Sequence, residues 1–167
     1  MYQPDYAAFV SAAASADNQP AMTYDALFEL TREVVGARLF TLMSFDFKTA
    51  LAGRFYSNMP DAYPVSGTKP VNTDRWATTV LHDRQIFVAN TIDDIADVFP
   101  DHELIKSLGC ESCINVPVVI GGAVAGTINI LDEAGHFTPE RVAAAEALKL
   151  PGALCFLLNE RNTNPGA

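Results

Sequence analysis

Ser112-Cys113-Ile114-Asn115-Val116-Pro117-Val118-Val119-Ile120, then Gly121-Gly122, then Ala123-Val124-Ala125-Gly126-Thr127-Ile128-Asn129-Ile130-Leu131 is the stretch whose reading decides the fold. Two apolar runs of strand length flank a Gly-Gly pair, and glycine supplies the positive φ values that a two-residue hairpin turn demands. Neither run alternates cleanly. Asn115, Thr127 and Asn129 stand where an inert sheet would carry Val or Ile. Pro117 removes a ladder donor, which suits an edge strand or a bulge. A simple two-residue turn pairs Cys113 with Ile130 and Asn129 with Ile114, so Cys113 and Asn129 face opposite sides of the sheet. They share a face only if a bulge, expected at Pro117, shifts the register.

Outward from the hairpin, the chain punctuates itself clearly. Residues 6–16 are Ala-rich and read as a short helix, and residues 23–35 follow with helical apolar spacing, Thr23 as N-cap and Gly36 as C-cap. Residues 38–47 and 50–57 read as two strands around a short turn. Residues 58–72 hold Pro60, Pro64, Gly67 and Pro70 and read as a loop long enough to cover a ligand. A helix over 73–83 capped by Thr73, a short strand over 85–89, and short helices over 93–98 and 101–108 lead into the hairpin. Beyond it, Pro139 opens a C-terminal helix, and Pro151-Gly152 predicts a break or kink before residues 153–161. Terminal helices then cover one face of an antiparallel sheet and the crossover segment covers the other, an α+β arrangement with a pocket under the crossover. The expected limits are a helical extension over 1–22, one domain over 23–161 and a tail over 162–167.

Composition narrows the function. The chain has 167 residues, 49% of them hydrophobic and 19% charged, which describes one globular domain. A net charge of -9 argues against a nucleic-acid reader or an anionic membrane surface, because both need a basic face. No uninterrupted apolar run approaches the ~18 to 20 residues of a membrane span. Met1-Tyr2-Gln3-Pro4-Asp5 lacks the basic and apolar regions of a signal peptide. Cys110, Cys113 and Cys155 form an odd set, natural for a reducing cytoplasm. Cys110-Glu111-Ser112-Cys113 spells Cys-x-x-Cys, yet no second pair completes a zinc site and the motif leads into a strand rather than a helix, so no metal is expected. Asp93, Asp94, Asp97 and Asp101 read as helix-start charge. No Ser-His-Asp triad, phosphate loop or dinucleotide fingerprint stands in a supporting context.

The strand pair from Leu39 to Tyr56, Ile86-Phe87-Val88-Ala89-Asn90, Ser112 to Val118, Gly126 three residues before Asn129, and Phe137-Thr138-Pro139-Glu140 together resemble a GAF domain, over about Tyr24 to Leu158. That resemblance implies a six-stranded (or nearly six-stranded) antiparallel sheet related to the PAS fold, terminal helices that often dimerise, and a small-molecule cavity between sheet and crossover. It also implies a sensory or regulatory role, exercised alone or through a separate output protein. Cyclic-nucleotide-binding members carry an Asn-Lys pair and a Phe followed later by Asp-Glu; here Asn129 precedes Ile130 and Phe137 precedes Thr138-Pro139-Glu140. Bilin-binding members often use a Cys-His dipeptide, which this chain lacks. Free methionine-(R)-sulfoxide reductases are similar stand-alone members, but their four chemical positions fall here on Lys106, Cys113, Asn129 and Leu131.

The expected pocket is mainly apolar and aromatic, lined by Tyr56, Trp76, Asn90, Phe99, Cys113, Asn115, Thr127 and Asn129, and suits a ring or a modest amphipathic metabolite. Tyr63 borders the same loop, and Arg54 and Arg75 would bind a carboxylate if they point inward, although the surface is their expected place. Which cofactor, if any, the pocket takes is unknown from the sequence. An enzyme would have to use Cys113 or Cys110, with His102 as the one histidine of the crossover, in a small-substrate reductase or hydrolase. The remaining alternative is a ligand-free dimerising module whose own side chains fill the cavity. The expected partners are a small organic ligand and a second copy of the chain.

Overall fold

Gly121 and Gly122, at φ +58° and +84°, make the two-residue turn of the hairpin and leave its strands paired as Ile120 with Ala123 and Val119 with Val124. Ala125 is then left over, because Val118 faces Gly126. This one-residue bulge restores Asn115 opposite Asn129 and Cys113 opposite Leu131, so Cys113, Asn115 and Asn129 share a face. The bulge therefore lies at Ala125 and not at Pro117. Pro117 needs none, since the neighbouring edge strand pairs only with Cys113, Ile114 and Asn115 and ends before reaching it.

In the computed structural model, which describes residues 3–166, the elements run α1 (Ala7–Ala14), α2 (Ala21–Val34), β1 (Leu39–Asp46), β2 (Leu51–Ser57), β3 (Lys69–Pro70), α3 (Arg75–Ala77, continued by a π turn over Thr78–His82), β4 (Phe87–Ala89), α4 (Ile92–Ala96), α5 (His102–Ser107), β5 (Ser112–Ile120), β6 (Ala123–Asp132), α6 (Pro139–Ala145), a 3-10 turn (Glu146–Leu148) and α7 (Lys149–Thr163). Met1, Tyr2 and Ala167, the outer ends of the expected extension and tail, lie outside the described residues. The sheet order is β3-β2-β1-β6-β5-β4, antiparallel throughout. The terminal helices α2, α6 and α7 pack on one face, where Leu27, Phe40, Leu42, Ile114, Ile128 and Phe156 form the main core. The crossover from α3 to α5 packs on the other, around Trp76, Val80, Phe87, Ile95 and Ile105. Period-two alternation along β1, β5 and β6 sends even-numbered residues of the central rows to the helices and odd-numbered ones to the crossover.

Several local expectations are corrected. Helix α2 begins at Ala21, so Thr23 is not its cap; it is buried in the first turn and its hydroxyl donates to Gln19 Oε1 at 2.6 Å. Asp74, rather than Thr73, caps α3 by accepting from the Ala77 N–H. A two-residue strand, β3, occupies part of the expected 58–72 loop. Pro151 and Gly152 do not break α7: the interruption comes earlier, as the 3-10 turn, and Pro151 falls in the first turn of α7, where a missing N–H is best tolerated. Pro139–Thr163 is helical from end to end and, by length and composition, long and apolar enough to cross a membrane. In the fold its apolar side is used otherwise, with Pro151, Gly152, Cys155 and Phe156 buried against the sheet and α2.

Candidate functional site

The face of the sheet beneath the crossover is not close-packed. A half-open cavity with about 650 Å³ of space between its walls, mouth included, remains between the sheet and the crossover; about 70 Å³ of it is open to the centre of a water-sized molecule. Its floor comes from odd-numbered residues of three adjacent strands, among them Thr41 and Met43 of β1, Thr127 and Asn129 of β6, and Cys113 and Asn115 of β5. Trp76, Phe99 and Ile105 descend from the crossover, and residues 69–72 border it beside β2.

Register creates a polar row across that floor. Thr41 pairs with Asn129, and Asn129 pairs with Asn115, so three polar side chains stand side by side on neighbouring strands. Trp76 Nε1–H donates to Asn115 Oδ1 at 2.8 Å, Asn115 Nδ2 donates to Asn129 Oδ1 at 2.7 Å, and Asn129 Nδ2 donates to Thr41 Oγ1 at 3.1 Å. A buried amide leaves little choice of orientation once its neighbours are fixed, so the indole sets the direction of both. Thr127, fully buried one row away, has a hydroxyl with no protein partner.

The thiols are not prepared as nucleophiles. Cys113 is 1% exposed, its S–H points to Asn115 Oδ1 at 3.6 Å, and burial pushes its thiol far above the ordinary range. Burial likewise raises Cys110 to about 11. A reactive cysteine needs the opposite, an electropositive and partly open setting. His102 does not serve either thiol: its Nδ1 lies 3.2 Å from the Phe99 carbonyl oxygen, and it is not on the cavity wall.

Of the residues expected to line the pocket, Trp76, Phe99, Cys113, Asn115, Thr127 and Asn129 surround this cavity. Tyr56 and Asn90 do not, and each has a physical reason. The β1–β2 register shifts between Leu42, which faces Tyr56, and Met43, which faces Arg54. Phe55 is the extra residue, and it and Tyr56 turn together to the helical face, where the Tyr56 hydroxyl donates to Asp25 at 2.8 Å. Asn90 spends its amide on the backbone of Phe137, donating to its carbonyl at 3.0 Å and accepting its N–H at 3.1 Å, and lines a shallow outer groove instead. Cys110 is buried in the crossover core without lining the cavity, and Arg75 lies over the Phe87 ring.

The same shift brings Arg54 onto the wall, contrary to its expected surface place. Tyr63 joins it there, with the guanidinium 4.8 Å above its ring and its hydroxyl donating to Asp101 at 2.6 Å. Thr41 and Lys69 also line the cavity and were not singled out by their sequence. Thr41 carried a usable signal, a polar residue in phase with Met43 inside an apolar strand. Lys69 carried none, because a two-residue strand inside a proline-rich segment leaves no periodicity to read.

Comparison with known proteins follows the geometry. The GAF domain family model matches residues 19–148. Among solved structures, a GAF domain/HD domain protein from Geobacter sulfurreducens superposes with a TM-score of 0.65 at 14% identity, covering 82% of this chain and 92% of that one. The domain of a putative two-component sensor histidine kinase from Sinorhizobium meliloti 1021 gives 0.61 at 14% identity, over 89% and 97%. The chromophore-binding domain of an unusual bacteriophytochrome from R. palustris gives 0.59 at 12% identity, over 93% of this chain and 60% of that one. No curated protein matches the chain in sequence. The matched model spans most of the chain, and the six-stranded sheet with its helices and crossover is the arrangement of these neighbours: this chain belongs to the GAF domain family.

Proposed function

We propose that this chain is a sensory or regulatory domain that holds a small organic molecule in the cavity beneath its crossover, acting alone or through a partner. One observation carries the reading: a directional row of buried amides, fixed by Trp76, faces open space instead of packed side chains. Such a mainly apolar cleft with a few convergent polar groups is the usual form of a ligand site. The histidine-kinase and bacteriophytochrome neighbours support a role in signal reception. The buried, high-pKa thiols favour binding over thiol catalysis, and their free state suits a reducing cytoplasm. A second copy of the chain is the proposed partner, seated on Leu150, Leu154 and Leu157, which line one stripe of α7 at 80%, 37% and 47% exposure.

Native mass spectrometry of the purified chain, before and after denaturation, tests the ligand reading. A reproducible extra mass that leaves on denaturation supports it. A bare chain whose melting temperature no small metabolite raises would favour the ligand-free interaction module instead.

A further inference from the structure

Among the described residues, three buried side-chain polar atoms have no hydrogen-bond partner: Tyr24 Oη, Arg54 Nε and Thr127 Oγ1. Tyr24 belongs to the core under the terminal helices. The other two line the same cavity. Native interiors leave few such groups unmet, because each carries the full cost of lost hydration when nothing completes it. Water would satisfy the Thr127 hydroxyl as well as any ligand would. A guanidinium edge on a partly apolar wall makes a stronger demand.

Arg54 is already held for that purpose. Its Nη1 donates to the Pro64 carbonyl at 3.0 Å, and its plane rests over the Tyr63 ring. With Nη1 engaged, the Nε–Nη2 edge is left, the side of arginine that takes a carboxylate by two parallel bonds. Lys69 stands on the same wall; it is exposed as a residue, yet its ammonium is crowded enough that burial lowers its pKa. Among the described residues neither cation has a carboxylate within 4.0 Å. The nearby acid is Asp101, which acts on both cations at longer range and accepts the Tyr63 hydroxyl. Two positive charges against one negative leave a single excess positive charge at the cavity of a protein whose net charge is -9.

Resting on the small-molecule reading above, the geometry points to one ligand class: a small monocarboxylic acid with an apolar ring or short chain. Its carboxylate sits between Arg54 and Lys69, its apolar body lies over Met43 against Trp76 and Ile105, and the Thr127 hydroxyl meets a polar substituent or a bridging water. The small accessible space accommodates one ring or a short chain, and the single excess charge favours a monoanion over a phosphate ester.

The test uses the full chain and matched pairs that differ only in charge: benzoate with benzamide, phenylacetate with phenylacetamide, hexanoate with hexanamide, and phenyl phosphate as the dianion. Isothermal titration and Trp76 emission report binding. At least one acid binds tenfold or more tightly than its own amide, and Arg54→Met abolishes that preference. Lys69→Met, at the rim and away from the core, weakens the same acid by about twofold to fivefold and guards against a folding defect in the Arg54 variant. If an amide binds as tightly as its acid, or phenyl phosphate binds tighter still, the carboxylate assignment is overturned and the cavity reading survives. If no compound of any series binds at millimolar concentration, the carboxylate assignment is overturned, and the mass measured before and after denaturation decides the cavity reading separately.

Discussion

Gly126 offers the sharpest test of how β6 is seated, because two rigid neighbours occupy the space a side chain would need. A Cβ built there falls on the Met43 carbonyl oxygen and on Phe156 Cε1, with Phe156 Cζ at 2.9 Å. Ordinary carbon contacts begin near 3.5 Å, so roughly 1 Å of separation has to be found. Phe156 is buried against the helical core, and the Met43 carbonyl belongs to the β1–β6 ladder, where Ser44 pairs with Gly126 and Met43 with Thr127. Forcing that ladder open costs ~1–3 kcal/mol in overpacking and about 1 kcal/mol for each of about two ladder bonds. The sum is about 4 kcal/mol, a large share of the ~5–15 kcal/mol a domain has. It corresponds to a fall of roughly 10 °C in melting temperature at this size. Gly53→Ala is the matched control: it lies in β2 of the same sheet, and its added Cβ would meet only Thr68 Cγ2 at 3.7 Å and the Gly67 carbonyl at 4.0 Å. Gly152→Ala falls between, since the obstacle there is the mobile end of Ile128 at 2.7 Å. Urea unfolding followed by circular dichroism should rank the losses Gly126→Ala, Gly152→Ala, Gly53→Ala. A Gly126→Ala loss under about 1 kcal/mol, or one equal to the Gly53 control, refutes the seating of β6 against β1 and α7.

Three further outcomes are expected. Trp76→Phe removes the donor that orients Asn115 and should cost about 1–3 kcal/mol in urea unfolding read by circular dichroism; a loss below about 0.5 kcal/mol would show that the indole N–H does not anchor the row. Burial raises Cys110 from 9.0 to about 11 and Cys155 from 9.0 to about 12, with Cys113 raised further, so in alkali the unfolded chain releases protons that the folded chain keeps. Stability is then complete below about pH 9 and falls as pH rises toward 11, and the urea midpoint at pH 10.5 should be roughly half that at pH 7.5. Leu154→Arg places a charge in the α7 stripe and should convert a dimer to a monomer in light scattering without lowering the melting temperature of the monomer; a wild-type chain that is already monomeric at high concentration removes the second-copy proposal.

How far the sequence was readable depended on whether each signal was local. The Gly-Gly turn announces itself, because only glycine adopts two successive positive φ angles cheaply. Asn115, Thr127 and Asn129 were also legible, as polar residues inside apolar strands. What alternation cannot reveal is where it slips. From Arg54, strict period two predicts the same face for Tyr56; the extra residue Phe55 reverses that, taking Tyr56 to the helices while Arg54 stays at the cavity. The Ala125 bulge acts the same way, and neither Phe55, between Arg54 and Tyr56, nor Ala125, between Val124 and Gly126, is of a residue type that marks a bulge. Asn90 was misplaced for another reason: its amide is consumed by a backbone 47 residues away, a pairing with no sequence period.

The two faces of this one sheet obey different physical demands. Toward the helices, β1, β5 and β6 present Phe40, Leu42, Ile114, Val116, Ile128 and Ile130, all at 0% exposure and packed into one cluster. Toward the crossover the same strands alternate to Thr41, Asn115, Thr127 and Asn129, four buried polar groups where apolar ones would close the gap. Folding alone does not call for them, since a buried polar group at best recovers the hydration it gives up. Three are linked into a row that needs nothing from outside, which keeps the floor ordered when the cavity is empty. Thr127 and Arg54, each with a buried donor left without a partner, line the same cavity. On the proposed reading, the self-satisfied row keeps the cavity stable without a ligand, and the unmet donors beside it make the filled state better than the empty one. That difference in free energy between the empty and filled states is what a sensor has available to change its shape or its partner.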